Sequence, residues 1–177
     1  PETSDAIILS TGAVLSRSMR KVVEETAHIV NLYSIPELEE GTARDLIEEN
    51  NFDDRIMTVD RDGKVEKLDL ATGLGASRYI DDKIDENTEY VYIPGAFTNS
   101  VIADINPKKL KKVRFVLKNP TKIFLSAMDW GLWRKRGFRV NVLKNIEIAA
   151  ITVNPWAPSG YTFDSGELVK AMQEALP

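Results

Sequence analysis

Cysteine is absent from the 177 residues, and histidine occurs once, as His28. Without cysteine there is no disulfide framework, no thiolate nucleophile and no Cys-ligated zinc. A single histidine excludes a His-rich metal centre, so no metal site is expected, and any Ser-His-Asp triad would have to use His28. Apolar runs are short, the longest being residues 6–9 and 148–151, far below the ~20 residues of a membrane span. No signal-peptide pattern is visible, and a cytoplasmic location and no membrane partner are expected. A phosphate loop of the form G-x-x-x-x-G-K-[ST] is missing as well. The chain opens on Pro1 instead of Met, and the expectation is a piece of a longer protein.

The composition that remains suits a folded domain, with 43% hydrophobic residues. The formal net charge of −4 hides a sharp division. Residues 1–100 hold 21 acids and 10 bases, residues 101–145 hold 2 acids and 12 bases, and residues 146–177 hold 4 acids and 1 base.

Periodicity divides the chain into alternating strands and helices. Residues 5–10 read as a buried strand. A helix pattern follows, with Leu15, Met19, Val22, Val23, Thr26, Val30 and Tyr33 on one face, and Pro36 closes it. Residues 37–51 read as a short acidic helix. Residues 56–59 and 64–70 form a hairpin around Asp62-Gly63, because both turn residues tolerate positive φ. Further strands are expected at 89–93, 113–117, 122–125, 139–143 and 146–153. Helices are expected from Thr98 to Ile105, from Ala127 to Arg136 with Ser126 as cap and Gly137 behind it, and after Asp164, where Glu167 completes a capping box. This order predicts one α/β domain over 1–177. It would be a three-layer, Rossmann-like or P-loop-like fold with a mainly parallel sheet and a β-hairpin insertion at about 52–88.

In such sheets ligands bind at the carboxyl ends of the strands. Four segments end strands with small or polar residues. They carry Ser10, Thr11 and Gly12; Gly95, Thr98 and Asn99; Ser126 with Asp129; and Asn154, Ser159 and Tyr161. These are expected on one edge, where free N–H groups would receive an anion or nucleotide, although the same residue types serve plain helix capping. Asp129 is the candidate acid or base, and Arg17 or Arg20 the candidate anion clamp. Gly73 and Gly75 resemble half of a dinucleotide fingerprint but lack the third glycine. Asp60 and Asp62 resemble the start of a calcium loop, which Lys64 interrupts.

The basic stretch holds Lys108, Lys109, Lys111 and Lys112, then Arg134, Lys135, Arg136 and Arg139, the second group interleaved with Trp130, Trp133 and Phe138. An acidic protein partner or neighbouring domain ranks first, a solvated face second, and single-stranded nucleic acid third.

Two stretches, DAIILSTGAVLSRSM at 5–19 and VNPWAPSGYTFD at 153–164, resemble a bacterial family found with amino-acid fermentation genes around lysine 5,6-aminomutase. Members are thought to help reactivate that B12-dependent enzyme, and longer ones carry a nucleotide-binding-like segment ahead of this region. Neither stretch is a catalytic motif, so the resemblance transfers no catalytic residue and no cofactor. It implies a non-catalytic accessory or regulatory module with a protein partner. The alternatives are an enzyme acting on a phosphorylated or carboxylated small molecule, and an RNA-binding module using residues 108–139.

Overall fold

The computed structural model describes residues 6–51, 54–69 and 76–176. The protein is a mixed α/β chain that divides into two compact units, one made of residues 1–34 with 146–177 and the other of residues 35–145.

In the first unit, β1 (Ala6–Ala13) pairs in parallel with β7 (Glu147–Asn154). Helix α1 (Met19–Tyr33) starts where the Ser18 hydroxyl accepts the Lys21 N–H, and α7 (Ser165–Ala175) starts where Asp164 accepts the Glu167 N–H at 2.9 Å. Their apolar stripes meet in a core of Val14, Val22, Val23, Phe163, Leu168 and Met172. Leu15, expected on the buried face of α1, precedes the helix and is 86% exposed. The apolar run of β1 predicts a strand buried on both faces. Instead its residues alternate between exposed and half-buried, with Ile8 66% exposed. β7 shows a similar alternation, broken at the exposed Ala149 and Ala150, with Ile148, Ile151 and Val153 half-buried. An apolar groove of about 570 Å³ runs along this unit between Ile148, Ile151, Met172 and Leu176.

The second unit is built on a five-stranded sheet in the order β3-β2-β4-β5-β6. These strands are β2 (Ile56–Asp60), β3 (Val65–Leu68), β4 (Thr88–Ile93), β5 (Arg114–Leu117) and β6 (Val140–Val142). The β2–β3 hairpin turns where sequence placed it: Asp60 Oδ1 accepts the N–H groups of Asp62 and Lys64, and Gly63 sits at φ 80°. On its other side β2 pairs antiparallel with β4, so the hairpin is continuous with the parallel strands β4, β5 and β6.

Helices α2 (Thr42–Asn50), α3 (Ala76–Lys83), α4 (Asn99–Ile102), α5 (Pro107–Lys112) and α6 (Ala127–Lys135) complete the second unit. Alternation along the strands sends Val91, Ile93, Phe115 and Leu117 to one face, where Ile80, Ile102, Leu110 and Trp133 from four helices meet them. Tyr92, Val116, Met57 and Val59 face the other way, against Ile47 of α2. Phe138 stacks on Phe97 at 5.3 Å and tilts against Phe115 at 5.1 Å in the larger core.

The strand expected at 122–125 does not form. Asn119 Oδ1 accepts the Thr121 N–H, and with Pro120 it sets a 3-10 turn over Pro120–Lys122. Only one bridge, Ile123 to Phe97, remains of that strand. The strands thus lie in two separate sheets, with β1 and β7 forming their own, where one sheet was expected. The Gly73 and Gly75 pair lies outside the described residues.

Candidate anion-binding surface

The four segments expected on one edge fall into two pairs, one pair in each unit. In the first unit Thr11 Oγ1 accepts the Asn154 N–H at 3.1 Å, and Asn154 Oδ1 accepts the Trp156 N–H at 3.1 Å. Ser10 and Gly12 lie on β1 beside Thr11. Ser159 is exposed at a turn closed by the Gly160 N–H on the Ala157 carbonyl, while Tyr161 packs edge-on against Phe163 at 5.0 Å. Arg17 is exposed ahead of α1. Arg20 is bound to Glu24 at 2.7 Å, and that hydrogen bond raises its guanidinium further above the ordinary arginine value.

In the second unit, Gly95, Thr98, Asn99, Ser126 and Asp129 follow the carboxyl ends of β4 and β5. Asn99 Oδ1 accepts the Trp133 indole N–H at 2.7 Å, and Thr98 and Ser100 share a hydroxyl contact at 2.7 Å. Ser126 caps α6 by accepting the Asp129 N–H at 3.1 Å, and its hydroxyl donates to Asp129 Oδ2 at 2.6 Å. Hydrogen bonds from Ser126 and then Asn99 hold the Asp129 carboxyl below the usual carboxylate range. A carboxylate held ionised in this way is a weak base and a poor proton donor near neutral pH. Gly95 is exposed, and a Cβ there would meet nothing within 4 Å, so its backbone forms no close cradle.

The opposite, amino edge of the same sheet gathers the bases. The two basic clusters, more than twenty residues apart in sequence, adjoin here because β5 and β6 are neighbours with Phe115 opposite Val140. That register sets Arg114, the first residue of β5, beside Arg139, which precedes β6. Gly137 follows α6 at φ 92°, and the Lys111 stem crosses it so closely that a Cβ there would lie 2.7 Å from Lys111 Cγ. Arg139 Nη2 donates to the Lys112 carbonyl at 2.6 Å, and the Arg136 guanidinium lies 4.7 Å from the centre of the Trp133 ring.

Part of this charge is spent inside the unit. Lys109 Nζ binds the Asp81 carbonyl at 2.5 Å and its carboxylate at 3.4 Å. Lys112 Nζ binds the carbonyls of Asp85 and Glu86, while the Asp85 carboxyl is held below the usual range by the Thr88 hydroxyl and then the Asn87 and Thr88 N–H groups. Arg114, Arg134 and Arg139 line an open cleft of about 590 Å³ together with Glu37 and Glu39. Glu37 is occupied by Arg44 at 3.4 Å and by the Asn145 N–H at 2.7 Å.

Sequence reasoning named Lys112, Arg134 and Arg139 but passed over Arg114 and over Arg61, which directly follows β2 and lines a small cleft with Arg114 and Arg139. The signal for Arg114 was its position: a basic residue opening one parallel strand, as Arg139 immediately precedes the next. The chain matches no family model, no curated protein and no solved structure.

Proposed function

We propose that the chain is a non-catalytic accessory module that docks an acidic surface of a protein partner through the amino edge of its five-stranded sheet. The observation that carries this reading is the merging of the two basic clusters through the Lys111–Gly137 and Arg139–Lys112 contacts. Surface cations gathered on one face raise association rates and select an oppositely charged partner. The stretches at 5–19 and 153–164 suggest which partner to try first: a B12-dependent aminomutase assembly that such a module would help reactivate. We further read the β4-to-β6 crossovers through α4, α5 and α6 as Rossmann-like, with the nucleotide role of that fold unassigned.

A protein partner is favoured over RNA by the placement of the aromatics. Trp133 is 5% and Phe138 2% exposed, and half-buried Trp130 packs edge-on against Phe138 at 6.0 Å, so the aromatics among the second basic cluster offer no open platform on which successive bases could stack. An enzyme using Asp129 as acid or base is disfavoured by the hydrogen bonds that keep that carboxylate ionised. The test is co-purification of the tagged chain with aminomutase subunits at low salt. Association at micromolar concentration supports the reading, and its absence removes it.

A further inference from the structure

Arg61, Lys112, Arg114 and Arg139 converge on a second, smaller cleft of about 160 Å³ at the same edge, with Thr88 and Glu89 completing its wall. We propose that this cleft is a binding site for the phosphoryl group of a small molecule, an inference that rests on reading this edge as an anion-binding face.

The charge balance is the first argument. Four cations face one carboxylate, and among the described residues no ion pair joins Glu89 to any of the four. Arg61 and Arg114 likewise make no ion pair among the described residues, in contrast to Arg20, Arg44 and Lys109 elsewhere on the surface. Lys112 is held by the Asp85 and Glu86 carbonyls, and Arg139 by the Lys112 carbonyl. These bonds fix the side chains in place without neutralising them. Like charges held together around a small volume repel, and a bound dianion relieves that repulsion.

Shape is the second argument. The cleft, about 160 Å³, has room for a phosphoryl group. Planar guanidinium groups match its oxygens in pairs. Three arginines from three places, the turn after β2, the start of β5 and the approach to β6, suit a tetrahedral anion better than a planar carboxylate. The wider cleft shares Arg114 and Arg139 with this one, so an organic group attached to the phosphoryl has room beside it.

The experiment titrates inorganic phosphate, and separately glycerol phosphate, into the full chain while the backbone amides of Thr88, Arg114 and Arg139 are followed by NMR. Saturable shifts confined to this edge are expected, with affinity for glycerol phosphate rising as pH passes the second ionisation of a phosphate monoester near ~6 and that for inorganic phosphate rising at higher pH. Arg114→Gln is expected to weaken binding about tenfold, the cost of one charge-assisted contact. Arg61→Gln, in an exposed turn, is expected to do the same and serves if the strand variant is unstable. Tighter binding of glycerol phosphate marks an organic phosphate as the ligand, and equal binding marks free phosphate. No saturable shift at millimolar phosphate, or wild-type affinity in both variants, overturns the site. Lys111, Lys135 and Arg136, on which partner docking is tested, lie outside this cleft, so the two ideas fail separately.

Discussion

Asp85 accepts three hydrogen bonds on one oxygen, from the Thr88 hydroxyl at 2.9 Å and from the N–H groups of Asn87 and Thr88 at 2.8 and 2.9 Å. Its folded pKa is depressed below the unfolded value, as is that of Asp129. The stabilisation from each is therefore present above the unfolded value of ~3.9 and is lost as pH falls through the lower folded value. Thermal melts of wild type and Asp85→Ala should differ most near neutral pH and converge in strong acid. A gap that stays constant with pH contradicts this. At the centre of the larger core, fully buried Phe115 contacts Phe97 and Phe138. Phe115→Ala is expected to cost about 3–5 kcal/mol in denaturant unfolding. A loss below about 1 kcal/mol would mean that the cavity collapses without cost.

At the scale of elements, Gly137 carries two demands at once. Its φ of 92° suits glycine, and the Lys111 stem occupies the space of a side chain. Gly137→Ala should lose about 1–2 kcal/mol from the backbone conformation, and Lys111 must shift as well. Unchanged stability in chemical denaturation would refute both constraints. The elements most legible from sequence were those with local chemical signals: Ser126 and Asp164 as caps, Gly137 behind α6, Asp62-Gly63 in the hairpin. Helices α3 and α5 escaped because they bury few side chains, Ser77 and Ile80 in one and Leu110 in the other, too few to set a period. The apolar run at 123–125 misled in the opposite direction, since Asn119 and Pro120 impose a turn and leave Phe124 64% exposed.

On the scale of the whole molecule, the division into two sheets was not legible, because β1 and β7 come from opposite ends of the chain and no local pattern reports such pairing. The same holds for the basic edge proposed as a docking surface. Its cations were visible as two clusters, but their meeting depends on the β5–β6 register and on one glycine. The net charge of −4 conceals this face, and within the second unit Asp81 pairs with Lys109 and Glu66 with Lys83, while Arg61 and Arg114 at the amino edge make no ion pair among the described residues.

The most direct test of that surface replaces Lys111, Lys135 and Arg136 together by Glu and measures binding to an aminomutase assembly across a salt series, with thermal melts to verify folding. Wild type should bind at micromolar concentration and weaken steadily with salt, as charge-driven association does. The triple variant should lose at least about tenfold, or ~1.4 kcal/mol. Equal binding by a folded triple variant, or affinity indifferent to salt, would contradict docking through the basic edge.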